Sequence, residues 1–325
     1  MKRRSFLIGV VFPFFLISCH KDLPDAVNAQ DYPGDSYPEL FEAFWTGMNT
    51  NYIFWSIDTT NWDAVYTRYK PLFAQLTSFN SGNEAKAEQY FTEMTSGLID
   101  GHYNLTFEAT GRSFSPSLSR KLTADANFLQ DSAYPATSLN TLIGLVYIDS
   151  GSLRMGSDPV TLGTSHTSLT AISGTIGGSI LYLYFSNFSI SQAATYTTPV
   201  FNYFFSTLRS LSGIKGVILD LRGNPGGEVS DLDYIVGQMV NEPYTFGYTR
   251  TKGGANRLDY TPWAPAIVKP WNGGTKVTAP IVVLADHLST SMAEITTMAV
   301  KTLPNGKFIG TRTWGATGPL APSVY

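Results

Sequence analysis

The sequence predicts an α/β chain (α+β overall), with a small helical layer at the N-terminus followed by a core whose sheet is mostly parallel. Three observations carry that prediction. Aromatic residues recur at helical spacing before position 100, the last third alternates buried-strand runs with helix-period segments, and glycine turns separate run from helix. The chain has 325 residues, 43% hydrophobic, 14% aromatic and 14% charged, which excludes a disordered, collagen-like or multi-pass membrane chain. That length supports one large core or two smaller ones. A formal charge of −3, from 22 basic and 25 acidic residues, offers no basic field for nucleic acid. A single cysteine excludes a disulfide framework and a thiolate metal cluster.

The N-terminus reads as an address rather than as fold. Lys2, Arg3 and Arg4 precede an apolar stretch from Phe6 to Ile17, too short to span a bilayer and right for a secretory signal over residues 1–18. The stretch ends Leu16-Ile17-Ser18-Cys19, with the chain's one thiol at the cleavage point, and so resembles a bacterial lipoprotein signal. The alternative is an ordinary signal with an incidental cysteine. Without residues 1–18, 19 basic residues stand against 25 acidic ones, a charge of −6. The expected mature protein is an acidic, extracytoplasmic globule of the cell envelope, tethered by residues 19–35 to a lipid on Cys19.

The elements follow in order. Leu40, Phe41, Phe44, Trp45 and Met48 predict a first helix, Trp62, Val65, Tyr66 and Tyr69 a second, and Ala87, Tyr90, Phe91, Met94 and Leu98 a third. Asp58 and Asn83 stand near the starts of the second and third, and Asn83 immediately precedes its helix as a cap should. Residues 36–102 are thus expected to form a helical subdomain, its aromatic stripe serving as core, and residues 103–325 the α/β core. Leu142–Ile148 and Ile180–Phe185 read as strands, and Thr198–Leu211 as a helix with Pro199 in its first turn. Ile214–Leu221 is a buried strand followed by a glycine turn and a helix carrying Leu232, Ile235, Val236, Met239 and Val240. Ile281–Ala285 is a second buried strand, residues 291–303 a helix, and Lys307–Gly310 a third strand. Strands alternating with helices imply parallel pairing through crossovers. Residues 243–279, rich in Gly, Pro, Trp and Tyr, read as a long connection of the kind that often carries function.

Three segments carry candidate chemistry. Asp220-Leu-Arg-Gly-Asn-Pro-Gly-Gly227 follows a strand and precedes a helix, where Gly226 and Gly227 let the backbone turn and expose N–H groups. It lacks the Gly-Lys-Ser/Thr ending of a phosphate loop and, taken alone, reads equally as a tight turn. Leu288-Ser-Thr-Ser-Met-Ala-Glu294 places the Ser291 hydroxyl at the positive end of a helix, yet Ser291-x-x-Glu294 is also a capping box. Ile99-Asp-Gly-His102 puts an imidazole at a loop tip, where it serves either as general base or as a structural histidine.

Together these segments resemble the C-terminal-processing (tail-specific) serine peptidases, and more closely their tricorn-like, histidine-using branch. The aromatic lead-in at Phe44-Trp45 and Tyr52-Ile-Phe-Trp55 belongs to the same likeness, which covers nearly the whole mature chain. The resemblance implies a crotonase/ClpP-like core and cleavage of extracytoplasmic peptides or protein C-termini. It implies Ser291 as nucleophile, His102 as base, and the amides of Gly227 and Met292 as oxyanion hole, supported by Gly226, Glu294 and Asp220. No metal or other cofactor is expected, and the expected partners are a peptide or protein substrate and the membrane.

The sequence departs from the family in three places. Ala316 stands where lysine-using members align their lysine, so the burden falls on His102. Many members carry a PDZ domain, and none is placed in 103–190. After Glu294 the chain has no Asp or Glu, whereas the tricorn-like branch orients its base with a late carboxylate. That acid is expected beyond Tyr325 in a longer protein, with Asp100 or Asp220 as substitutes. The alternative functions are a catalytically weak or inactive lipoprotein that binds peptide or another ligand on the peptidase fold and, from the Trp and Tyr of 243–271, a carbohydrate-binding surface protein.

Overall fold

A computed structural model describes residues 35–129, 147–163, 165–210 and 213–318. The address segment, most of the strand expected over Leu142–Ile148, and the last seven positions lie outside the described residues.

The N-terminal helices are α1 (Tyr37–Asn51), α2 (Trp62–Phe73) and α3 (Ser81–Thr95). Tyr37, Phe41, Phe44 and Met48 fall on one face of α1 and are buried, as the 3.6-residue period requires. Asn61 caps α2 through the Ala64 amide at 3.0 Å. The third cap corrects the expectation of Asn83. Asn80 is the N-cap, its Oδ1 accepting from the amides of Gly82 and Asn83 at 3.1 and 3.0 Å, and Asn83 lies inside the first turn. Asp58 accepts from the Thr60 and Ile99 amides and caps no helix. The aromatic stripes meet in one cluster around Trp62, Phe41 and Phe73. Trp45 and Trp62 stack at 6.5 Å, each donating its indole N–H to the other's carbonyl. Those reciprocal bonds satisfy two polar atoms that burial would otherwise make costly.

The chain then forms a short hairpin, β1 (Leu105–Phe107) with β2 (Arg112–Phe114), and helix α4 (Pro116–Ala124), started by Ser115 and Pro116. The main sheet takes β3 (Arg154–Leu162), β4 (Ser165–Ile176), β5 (Ile180–Phe185), β6 (Gly216–Asp220), β9 (Ile281–Ala285) and β10 (Gly306–Gly310). Its order is β10-β9-β6-β5-β4-β3. β5, β6, β9 and β10 run parallel, and β3, β4 and β5 are antiparallel neighbours. This is the mixed, mostly parallel α/β arrangement that the sequence predicts. Helix α5 (Thr198–Ser210) makes the first crossover, burying Val200, Phe201, Phe204, Phe205 and Leu208. Helix α7 (Met292–Thr302) makes the last. Leu181, Leu183, Val217, Leu219, Ile281 and Val283 are all fully buried in the core between sheet and helices.

The connection from β6 to β9 differs from expectation twice. The helix predicted through Val240 breaks into α6 (Asp231–Ile235) and a single 3₁₀ turn, Gly237–Met239. The carbonyls of Gly237, Gln238 and Met239 accept from Trp271, Thr275 and Val277, and a Cβ at Gly237 would lie 2.2 Å from the Lys269 carbonyl oxygen. Residues 271–277 thus take the carbonyls from the helical ladder, although Leu232, Ile235, Val236 and Met239 remain buried and Val240 half-buried. Residues 243–279 are no open loop either, because β7 (Tyr244–Thr249) and β8 (Ala264–Val268) pair as a hairpin. Its far end reaches the helical layer. Arg257 bonds Asn49 and Asp63, Arg250 bonds the Ser56 hydroxyl, and the Tyr260 hydroxyl accepts from the Ser56 amide.

Parallel pairing sets the place of the site. Tyr184 pairs with Asp220, Asp220 with Leu284, and Leu284 with Ile309, so the segments leaving β5, β6, β9 and β10 emerge at one edge of the sheet.

Candidate active site

The turn after β6 is built to bring backbone close to backbone. Asp220, fully buried, ends the strand by accepting from the Tyr182 hydroxyl at 2.7 Å and from Arg222 Nε at 2.8 Å. Asn224, also fully buried, ties three segments together. Its Nδ2 donates to the Phe185 carbonyl, its Oδ1 accepts from Gly226, and its carbonyl accepts from the Thr290 amide. Gly226 and Gly227 have φ of 92° and 143°. A Cβ at Gly226 would lie 2.6 Å from Ser291 Cβ and 2.7 Å from the Met292 nitrogen, and one at Gly227 would lie 2.2 Å from the Phe188 carbonyl oxygen. Only glycine fits either position. The Phe188 amide donates to Gly226 and its carbonyl accepts from Glu228, which leaves the Gly227 N–H on the side away from Phe188.

The turn after β9 carries Ser291. Asp286 Oδ1 gathers the amides of Gly223, Leu288 and Ser289, and the Ser289 hydroxyl donates to the Leu221 carbonyl at 2.7 Å, so the two glycine- and serine-bearing turns are sewn together. Ser291 is half-buried with φ 57° and ψ −118°, a conformation that costs a side-chain-bearing residue about 1–3 kcal/mol. The capping box is present in composition and place, and the Ser291 amide donates to Glu294 Oε2 at 2.9 Å. The reciprocal half is weak. The Glu294 amide has its well-formed bond, 2.9 Å, to the Ser291 carbonyl, and the serine hydroxyl makes no close cap bond. Among the described residues neither the Met292 N–H nor the Gly227 N–H donates to an acceptor. The hydroxyl thus stands at a helix N-terminus next to two uncommitted donors, the arrangement that can stabilise a developing oxyanion.

Glu294 extends the site. Buried on the first turn of α7, it accepts on Oε1 from the Thr313 hydroxyl and the Gly315 amide, each at 2.7 Å. On Oε2 it accepts from the Ser291 and Ala316 amides at 2.9 and 2.8 Å. The Gly315 carbonyl in turn accepts from the Gly101 amide at 3.0 Å, and the Trp314 indole donates to the Gly101 carbonyl at 3.1 Å. His102 is the next residue. The serine turn and the histidine loop are therefore joined through one carboxylate and one strip of backbone.

Asp100 shapes that loop by accepting the His102 amide on Oδ1 at 2.9 Å, while its own amide donates to the Tyr52 hydroxyl. Burial, with the Glu294 charge adding to it, raises the Asp100 carboxyl above its usual range. His102 Nδ1 is buried and has no hydrogen-bond partner among the described residues. Neither proposed substitute orients the ring, because Asp100 holds the backbone amide and Asp220 is engaged by Arg222 and Tyr182. Ala316 is fully buried, its methyl 2.9 Å from where a Gly101 Cβ would stand, so the position aligned with the family's lysine faces the histidine loop.

Ser291, Gly226, Met292 and Glu294 thus come together, with Gly227 next to Gly226, and Gly101, the neighbour of His102, is tied to the same strip of residues 313–316. Sequence reasoning missed Asn224, Asp286 and Trp314. Asn224 lay in plain view inside the glycine turn, whereas nothing local marks Trp314, whose indole N–H donates to Gly101, 213 positions away.

Fold and site together define a class: mixed α/β proteins in which a serine sits at a strained strand-to-helix turn. Residues 179–320 match the pattern of peptidase family S41, and residues 33–78 match that of the tricorn protease C1 domain. The chain is 28% identical over 134 residues to the nisin-resistance protein of Lactococcus lactis subsp. lactis, covering 39% of this chain and 40% of that one. It is 31% identical over 121 residues to the tricorn protease of Thermoplasma acidophilum, covering 37% of this chain and 10% of that one. The matched regions therefore span well under half of either curated relative. A solved structure of a candidate peptidase from Parabacteroides merdae shares the fold, with a TM-score of 0.62 at 23% identity over 86% of this chain and 77% of that one.

Proposed function

We propose that the protein is a serine peptidase that cleaves extracytoplasmic peptides or protein C-termini, held at the cell envelope by a lipid on Cys19. Ser291 Oγ attacks the scissile carbonyl as its proton passes to the His102 imidazole, and the carbonyl oxygen, now an oxyanion, is met by the amides of Gly227 and Met292. The C–N bond breaks as the imidazolium returns the proton to the leaving amine. A water then gives a proton to His102 and adds to the acyl carbon, and the carboxylic acid leaves as Ser291 Oγ takes back its proton. With Nδ1 enclosed, Nε2 is the ring nitrogen open to this exchange.

The observation that carries the reading is the strained backbone of Ser291 beside the uncommitted Gly227 and Met292 amides. A half-satisfied cap alone gives no reason to hold a serine at positive φ. A fluorophosphonate probe applied to the full-length protein is expected to label the wild type and to leave Ser291→Ala unlabelled, with His102→Ala labelled at least about a hundredfold more slowly. Equal labelling of wild type and Ser291→Ala would sink the assignment.

A further inference from the structure

Lys121, on α4, has its Nζ 2.5 Å from the Trp314 carbonyl oxygen and 3.7 Å from the centroid of the Trp314 ring. This cation belongs to neither the sheet nor the helical core, yet it rests on the residue that links the two halves of the site. The Trp314 amide donates to the Ser289 carbonyl, two positions before Ser291. Its indole N–H donates to the Gly101 carbonyl, one position before His102. Phe128 completes the bracket, 5.8 Å from Trp314 and 4.8 Å from His287 ring to ring, with its carbonyl 2.9 Å from His287 Nε2 on the serine turn.

We propose that Trp314, clamped by Lys121, is a positioning residue that holds the His102 loop in register with the Ser291 turn. The proposal rests on the Ser291–His102 reading above and adds residues that the reading does not use. An indole fixed by its amide, its N–H, its carbonyl and its ring face has little freedom to shift. Both catalytic segments lean on it, so loosening the clamp moves one relative to the other. A lysine ammonium over a partly desolvated indole is the strong form of the cation–π contact. The family's lysine position is occupied by Ala316, and Lys121 is no replacement as a base, because its ammonium is already committed to the Trp314 carbonyl and ring.

The clamp is sensitive to pH. Burial draws the Lys121 ammonium down to about 8; Glu294 of α7 opposes the fall, and Arg120 of α4 and Arg312 beyond β10 add to it. His287 faces the same bracket across Phe128, and His102 lies on the loop being held. Above that pH the neutral amine gives up its cation–π contact.

The test is the rate of fluorophosphonate labelling of Ser291 in the full chain between pH 6 and 10, with hydrogen exchange of the 99–103 segment read alongside. In the wild type the rate is expected to fall about tenfold as pH rises through 8 to 10. Lys121→Arg, whose guanidinium stays charged, is expected to rescue the rate and keep it level past pH 9. Lys121→Met is expected to label about ten- to a hundredfold more slowly at every pH, with no break near 8. Trp314→Phe keeps a ring for the cation but loses the bond to Gly101, so it slows labelling and retains the break. Both slow variants are expected to exchange faster at 99–103 while the α7 amides are unchanged. The same alkaline fall in Lys121→Arg and wild type, or wild-type labelling by Lys121→Met, overturns the proposal while the peptidase reading stands. Unlabelled wild type with the expected exchange changes overturns the peptidase reading and supports the holding role.

Discussion

Ser291 is where local strain and chemistry coincide. Its φ of 57° and ψ of −118° suit glycine far better than any residue with a Cβ. Ser291→Gly is therefore expected to be more stable than Ser291→Ala by about 1 kcal/mol, although glycine is ordinarily the costlier of the two to order. Urea unfolding of both variants checks this, and equal midpoints would remove the claim of strain. The candidate site residues could be named from the sequence because each lies in a short local pattern: a serine at a helix start, a histidine after Asp-Gly, paired glycines after a strand. The conformation of Ser291 was not legible, since it depends on Gly226 approaching from 65 positions away in the chain. Asn224 and Trp314 escaped for the same reason, as their meaning lies in partners that adjacency in sequence does not reveal.

At the scale of elements, apolar spacing located the helices and the buried strands well, and ends and interruptions poorly. The stripe of α3 begins only at Ala87, so periodicity did not mark the start of the helix, and the cap lies at Asn80, three positions before the expected Asn83. The break after α6 comes from Gly237 meeting the chain beyond β8, a tertiary event invisible to a helical pattern. The first turn of α7 carries a sharper expectation. Glu294 accepts from four donors, and in Glu294→Gln the side-chain NH2 would face N–H groups that need an acceptor. The loss is expected to be about 3 kcal/mol in chemical denaturation, with slower labelling of Ser291 as the 313–316 strip loosens. The start of α6 gives a pH dependence. Burial pushes the Asp231 carboxyl up to about 6; the Ile190 amide opposes this and the Glu228 charge adds to it. The folded state then binds more protons than the unfolded chain between about pH 4 and 6, so this group's contribution to stability is present below that window and declines as pH rises through it. Asp231→Asn is expected to gain on the wild type by on the order of 2 kcal/mol between pH 4 and 7, and melts at the two pH values measure the difference.

At the scale of the molecule, two apolar clusters, one helical and one built on the sheet, are stitched by the β7–β8 hairpin. Its Arg257 meets Asp63, whose side chain is 72% exposed, so the ion pair itself contributes little. The guanidinium also covers Trp45 and Trp55, at 5.9 and 5.6 Å from their rings. Arg257→Ala is expected to cost about 1 kcal/mol in urea unfolding, mostly through that lost cover, and to leave each cluster folded. Fold class and parallel pairing in the last third were foreseeable because short apolar runs alternating with helices admit few topologies. The hairpin was not, because its strands are short, half-exposed and interrupted by proline and glycine.

The strand order has a consequence for when the candidate site can exist. Neighbours in the sheet are neighbours in sequence except at one splice, β6 to β9, across which all of 221–280 must be looped out. The imidazole, the glycine amides, the alcohol and the indole beside them are spread over residues 102–314, so a nascent polypeptide leaving the ribosome holds no assembled site until Trp314 has been added.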